Sequence, residues 1–191
     1  MTVVITGATK GLGKEIKYQL EEFYDVINIS RSNGFDLSTI DGLEKAKDVI
    51  GEEKPTTLIL NSGAWRNDFF LNYFSAKELS EKALEVNPKC HVIFILSNAA
   101  YQSYGNDDYT TSKSGLLHYA RRKQRGGYKV STISPGTIDT GFWEDAEEDN
   151  RKKGALSPKA VASIVVSVME VGKNGGVVTE LIILPEVKNA N

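Results

Sequence analysis

Short runs rich in valine and isoleucine recur along this chain, separated by amphipathic stretches long enough for helices. Such runs suit strands buried on both faces, and the stretches between them suit crossover helices rather than hairpin turns. Strands are predicted near 2–6, 25–30, 56–61, 91–97, 129–134 and 177–183, and helices near 11–23, 38–50, 69–86, 109–125 and 157–171. Ser157-Pro158 marks a helix start and Gly126-Gly127 a helix end. The alternation predicts a doubly wound α/β fold with six parallel strands.

At 191 residues and 40% hydrophobic, the chain has the length of one ordinary domain, and no repeat or linker divides 1–191. Twenty-three basic and 25 acidic residues give a net charge of -2, so no global field favours nucleic acid or an anionic membrane and a small molecule is the expected partner. The lone Cys90 has no disulfide partner, and there is no Cys or His cluster for a metal, which suits a reducing cytoplasm. Met1 leads directly into strand-like sequence with no basic lead or long apolar run, so neither a signal peptide nor a membrane span is expected.

The first strand is followed by Thr6-Gly7-Ala8-Thr9-Lys10-Gly11-Leu12-Gly13 and then a helix. Glycines at a strand-to-helix turn let backbone N–H groups approach a pyrophosphate, and the helix dipole favours its charge. The spacing is G-x-x-x-G-x-G rather than G-x-G-x-x-G, so a tight turn serving only helix–sheet packing stays open. The second strand ends Asn28-Ile29-Ser30-Arg31-Ser32, where an acidic residue would hold ribose hydroxyls and a basic one a 2′-phosphate. Lys10, Arg31 and Ser32 together favour NADP(H) over NAD(H), unless both cations are simply solvated.

The strand at 91–97 ends in Ser97, at the carboxyl end where open α/β sheets bind ligands. Twelve residues on, Tyr109 opens a helical stretch that carries Lys113 on the same face, one turn away. A nearby ammonium lowers the pKa of a phenol and readies it for proton exchange. Tyr-x-x-x-Lys also occurs at Tyr73/Lys77 and Tyr119/Lys123, so position must choose. Tyr119 lies about 15 Å further along the helix on another face, and Tyr73 precedes Ser97 in a different helix.

In this order the motifs resemble those of the short-chain dehydrogenase/reductase family, across nearly the whole chain. Thr6 to Gly13 is similar to its T-G-x-x-x-G-x-G turn, and Asn61-Ser62-Gly63-Ala64 to its N-N-A-G; Asp36-Leu37 resembles the acidic dipeptide beside adenine, and Ser134-Pro135-Gly136-Thr137-Ile138-Asp139-Thr140 the P-G-x-x-x-T segment. The resemblance implies a Rossmann-like sheet and an NADP-dependent oxidoreductase acting on CH–OH groups or carbonyls. It implies cofactor contacts from Gly7, Thr9, Lys10, Gly11, Leu12, Gly13, Arg31, Ser32, Asp36, Leu37, Asn61, Gly63, Tyr109, Lys113, Pro135, Gly136, Ile138 and Thr140. Tyr109 is then the general acid/base, Ser97 orients the carbonyl, Lys113 lowers the phenol's pKa and holds ribose, and Asn72 anchors a water leading to Lys113. Asn67 and Asn87 compete for the asparagine role, the first in a loop and the second before Pro88.

Between Ser32 and Asp36 stand only Asn33-Gly34-Phe35, where the family usually has a helix and a further strand, so one outer strand–helix unit is expected to be missing. A homodimer or homotetramer is implied but weakened by short interface helices. His91 and His118 lack a triad partner and are expected to be structural. Arg121 to Arg125 reads as a solvated helix end. Phe142-Trp143 and the acids 144–149 fall where the family has a substrate lid. Two other readings stay open: a catalytically silent NADP(H)-binding sensor or scaffold, and an epimerase or dehydratase acting on a nucleotide sugar, which the short carboxyl region disfavours.

Overall fold

The computed structural model describes residues 1–65, 68–102, 107–143 and 154–186. Six strands, β1 (Thr2–Thr6), β2 (Asp25–Ile29), β3 (Thr57–Leu60), β4 (His91–Ile95), β5 (Val130–Pro135) and β6 (Glu180–Ile183), form one parallel sheet in the order β2-β1-β3-β4-β5-β6. The helices are α1 (Gly11–Leu20), α2 (Ile40–Glu53), α3 (Ala76–Val86), α4 (Asp107–Arg125) and α5 (Pro158–Lys173). The doubly wound, Rossmann-like sheet expected from the sequence is the one observed.

Alternation along the strands builds two cores, since successive side chains leave opposite faces of a sheet. Val4, Leu58, Leu60, Val92 and Phe94 face the layer of α2, α3 and α4. Val3, Ile5, Ile59, Ile93, Ile95 and Ile133 face α1 and α5. Both sets are at or near zero exposure, which is why β1, β3 and β4 are dominated by Val, Ile, Leu and Phe. From β1 the chain passes outward to β2 and then back across β1 to β3, so the switch in winding lies between the carboxyl ends of β1 and β3. Ligands of open α/β sheets bind at such a point.

The missing outer unit has a clear structural outcome. β2 is the sheet's edge, and after Ile29 a tight turn at Arg31–Asn33 and Gly34 (φ 90°) delivers the chain to Asp36 and α2. Thr39 caps α2 by accepting a hydrogen bond from Gly42 N at 3.1 Å.

Several bounds differ from the sequence expectation, α2 running 40–53 rather than 38–50 and β4 ending at Ile95 rather than 97, and three further departures have a visible cause. β6 starts at Glu180 rather than 177, because Gly175 (φ 91°) and its neighbours carry the chain away from α5 and the first contact with β5 is Thr132 N donating to Thr179 O. α1 stops at Leu20, whose carbonyl accepts from both Phe23 and Tyr24 N in a closing turn. The long helix expected at 69–86 begins as a wide π turn, Phe70–Ser75, before tightening into α3. Asp68 Oδ1 accepts from Leu71 N at 2.8 Å there, and the Asn72 side chain is drawn back to Ala64. Asn67 and the acids 144–149 lie outside the described residues.

Candidate active site

The carboxyl end of β1 is braced on both sides. Thr6 Oγ1 accepts from Asn61 N and Ser62 N, each at 3.0 Å, while the Asn61 amide donates to Thr6 O at 3.2 Å and Gly7 O at 3.1 Å. On the β2 side, Ala8 N donates to Asn28 Oδ1 at 3.1 Å. The turn held between them uses Gly7 at φ 69° and Gly11 at φ 56°, left-handed backbone that glycine adopts without strain. A Cβ on Gly13 would lie 2.3 Å from Gly7 O and 2.5 Å from Asn61 Nδ2, so the start of α1 is pressed against the turn. This is the geometry an anion needs to reach a helix N-terminus.

Beside the turn, three hydroxyls converge. Thr9 Oγ1 lies 2.9 Å from Ser30 Oγ and 2.8 Å from Ser32 Oγ, and the two serines are 3.1 Å apart. Arg31 flanks them and pairs with Asp36, Nε to Oδ2 at 3.1 Å. The Asp36 carboxyl is held below the usual range chiefly by the hydroxyl and backbone N–H of Ser38, with Arg31 adding to the effect. Hydroxyl donors and a guanidinium in one place can hold a phosphate ester.

At the other end of the same cleft stand Ser97, Tyr109 and Lys113. Ser97 follows β4 and caps the short turn Asn98–Ala100 by accepting from Ala99 N at 3.1 Å. Tyr109 and Lys113 lie in the first turns of α4, both buried, with Lys113 Nζ 5.5 Å from the centre of the Tyr109 ring. Burial pushes the Tyr109 phenol up to about 12, against an opposing hydrogen bond with Ser97. Burial likewise pulls Lys113 down to about 8. At both groups burial sets the direction, and for the phenol that direction is opposite to the lowering expected from a nearby ammonium.

Asn72 sits behind this pair in the π turn. Its side-chain amide donates to Ala64 O at 2.8 Å and accepts from Ala64 N at 2.9 Å, fixing the loop after β3. The neighbouring Gly63 has room only for its hydrogen, since a Cβ there would lie 3.1 Å from Asn72 Oδ1 and 3.5 Å from Lys113 Nζ. Asn87 is far from this arrangement in role, donating to Pro55 O at the end of α3.

A cleft of about 650 Å³ joins the two ends. Gly7, Thr9, Lys10, Gly11, Leu12, Gly13, Arg31, Ser32, Asp36, Leu37, Asn61, Gly63, Ser97, Tyr109, Lys113, Pro135, Gly136, Ile138 and Thr140 all line it, whereas Asn72, also assigned to the site from the sequence, stands outside the lining. Leu71, Ile95, Leu96 and Gly141 also line it without any sequence signal, Ser30, Ser62 and Ala64 line it as motif members given no contact of their own, and Phe142 lines it as well. Ser30 was within reach of sequence reasoning as the last residue before Arg31. Trp65, which carried no sequence signal, has its ring centre 5.1 Å from that of Tyr109.

The remaining Tyr-x-x-x-Lys pairs are structural. Tyr119 Oη hydrogen-bonds Ser80 Oγ at 2.9 Å between α3 and α4, and Lys123 pairs with Glu81. Tyr73 packs beside Gly115 and Phe69, and Lys77 pairs with Glu78. His91 is buried away from the cleft, its Nε2 2.8 Å from Ser131 Oγ. Among the described residues no group of His, Cys, Asp and Glu is placed to hold a metal ion, and no helix is long and apolar enough to cross a membrane.

No family model matches the chain. A curated relative, the 3-oxoacyl-[acyl-carrier-protein] reductase FabG of Buchnera aphidicola subsp. Schizaphis graminum (strain Sg), is 27% identical over 196 residues, covering 80% of this chain and 79% of its own. Among solved structures, the 3-alpha-hydroxysteroid dehydrogenase of Pseudomonas sp. B-0831 complexed with NADH superposes with a TM-score of 0.83 at 19% identity, covering 96% of this chain and 95% of its own. A short chain dehydrogenase of Burkholderia cenocepacia J2315 in complex with NADP gives a TM-score of 0.75 at 18% identity, covering 95% and 87%.

Proposed function

We propose that this chain, which belongs with the short-chain dehydrogenases/reductases, reduces a small carbonyl compound with NADPH, Tyr109 supplying the proton. The observation that carries the reading is one cleft with a glycine-lined anion cradle at one end and the Ser97–Tyr109–Lys113 set at the other. The curated reductase relative and the nicotinamide complexes of the structural neighbours support an oxidoreductase. Those neighbours include both NADH and NADP complexes, so the preference for NADPH rests on this chain's own residues.

The fit of the cofactor rests on the cradle. Gly7, Gly11 and Gly13 leave the backbone of the turn open to a pyrophosphate, and Thr9, Ser30, Ser32, Arg31 and Lys10 offer donors and positive charge to a 2′-phosphate. Leu37 and Asp36 border the adenine end, and Pro135, Gly136, Ile138 and Thr140 the nicotinamide end. When bound, NADPH supplies the hydride.

The protein supplies position and proton. Ser97 donates a hydrogen bond to the carbonyl oxygen, an interaction that strengthens as negative charge grows there. Tyr109 passes its phenolic proton to that oxygen. Its burial keeps it protonated through the neutral range, which is the state an acid requires. Lys113 reaches the ribose hydroxyls and compensates phenolate once the proton has left. Asn72 is a positioning residue: by holding Ala64 it sets Gly63 against Lys113.

The test is NADPH oxidation against ketones, 3-oxoacyl thioesters, quinones and pterins, with Tyr109→Phe as control. The variant should bind NADPH as the wild type does and retain less than about one hundredth of its turnover. Turnover that survives in Tyr109→Phe removes the tyrosine from this role.

A further inference from the structure

We infer that Trp65 and Phe142 form an aromatic gate that selects flat, conjugated carbonyl compounds, aryl ketones above all, for reduction at Tyr109. The inference rests on the reading of Tyr109 as the proton donor and adds the substrate class.

Two rings close on the phenol from different parts of the chain. Trp65 lies in the loop after β3, its ring centre 5.1 Å from that of Tyr109 and its plane tilted by 55°. Phe142 lies in the turn after β5, at 6.3 Å and 54°. β3 and β5 are the neighbours of β4 in the sheet, and Ser97 follows β4. The two aromatics thus arrive from loops on either side of the strand that aims Ser97 at the substrate. Phe142 lines the cleft, and half-buried Trp65 packs on the same tyrosine. Together with the rest of the wall they leave Tyr109 only 6% exposed.

Beside Ser97 and Lys113, the same cleft is lined by the apolar side chains of Ala64, Leu71 and Leu96. Among the described residues that line the cleft the cations are Lys10, Arg31 and Lys113, and the first two belong to the phosphate end. Among the described lining residues, the cation beside Tyr109 is then Lys113, which serves the proton donor. A flat ring conjugated with the carbonyl and seated at Tyr109 has two aromatic neighbours of that tyrosine to contact, and contacts between rings attract beyond their buried area. A puckered ring of the same size gains the area alone.

Acetophenone and cyclohexyl methyl ketone are matched in size and differ in flatness. With NADPH, the wild type should prefer acetophenone in kcat/KM by about threefold to tenfold for each ring that contributes. Trp65→Leu and Phe142→Leu should each remove a share of that preference, and Trp65→Phe should restore much of the Trp65 share. NADPH fluorescence titration of each variant verifies that the cradle is intact, and calorimetric binding of both ketones to the NADP⁺-loaded protein reads the same preference without turnover. Turnover of both ketones with no preference, or a preference that survives both leucine substitutions, overturns the gate and leaves carbonyl reduction standing. Tighter, Trp65-dependent binding of acetophenone without turnover of any carbonyl supports the gate and overturns the proposed reaction. If neither ketone binds or reacts, both fall.

Discussion

The guanidinium of Arg31 lies side-on to the carboxylate of Asp36, with Nε 3.1 Å from Oδ2 and Nη2 3.4 Å from Oδ1. The pair exists because only Asn33, Gly34 and Phe35 separate Ser32 from Asp36 after the loss of the outer strand–helix unit. A 2′-phosphate at the Thr9, Ser30 and Ser32 hydroxyls therefore competes with Asp36 for the same cation. Arg31→Gln should weaken NADPH binding by about tenfold to a hundredfold and leave NADH nearly unchanged, as expected for loss of a charged hydrogen bond. Asp36→Asn should widen the preference for NADPH by freeing Arg31. Fluorescence titrations at low and high salt measure both effects, and equal losses for the two cofactors in Arg31→Gln would remove Arg31 from phosphate recognition.

The pH profile should be set by Lys113 on its alkaline side. A buried lysine pulled down to about 8 loses its charge as pH rises through that value, while Tyr109, pushed up to about 12, stays protonated. Values of kcat/KM for NADPH report the free enzyme and should fall with a midpoint near pH 8, with no separate tyrosine limb below pH 10. In Lys113→Arg the residual activity should lose this limb, since arginine does not titrate there. A wild-type profile flat from pH 6 to about 10 contradicts the assignment.

Acid should destabilise the fold through His91. The buried imidazole is pushed down to about 4, first by burial and then by Lys129, from an ordinary 6.5. Between those values the unfolded chain takes up a proton that the folded chain refuses. Stability is thus fully present above pH 6.5 and falls as pH drops toward 4, by on the order of 3 kcal/mol once both states are protonated. Urea midpoints at pH 7 and about 4.5 read the change, which should be smaller in His91→Gln. The same slope in both proteins assigns the acid sensitivity to other groups. Gly172→Ala tests the packing of that ring separately, because its Cβ would lie 2.2 Å from His91 Nδ1; a loss of about 1–3 kcal/mol is expected.

Tyr119→Phe is the control for the repeated motif. It removes the hydroxyl bonded to Ser80 between α3 and α4 and should cost about 1 kcal/mol of stability in urea titrations, with NADPH-dependent turnover unchanged. A collapse of kcat in the folded variant would mean that the choice of Tyr109 by position was mistaken.

The layers and the cradle were legible because they follow from local rules. Val3 and Ile5 against Val4 already specify the two faces of β1, and the glycines announce the turn by standing after it. Ser97 and Lys113 were legible as the end of a strand and one turn of a helix. What escaped depends on tertiary surroundings. Spacing brings Lys113 near Tyr109 but says nothing of solvent access, which decides the direction of both pKa shifts. Trp65 and Phe142 meet Tyr109 only because β3, β4 and β5 are neighbours. The Arg31–Asp36 pair needed the path of the chain through Gly34, since both residues read equally well as separate cofactor contacts.

The wide turn at Phe70–Ser75 decouples two demands on a single stretch of chain. α3 must present Leu79, Ala83 and Leu84 to the sheet, and Asn72 must meet Ala64. In an unbroken helix each residue turns by about 100°, so one setting of phase would fix both. An extra residue in the turn is an angular offset between them, and deleting one residue from it would swing Asn72 off Ala64 while α3 stayed seated. The seating of α3 and the aim of Asn72 are therefore set by separate stretches of one helix.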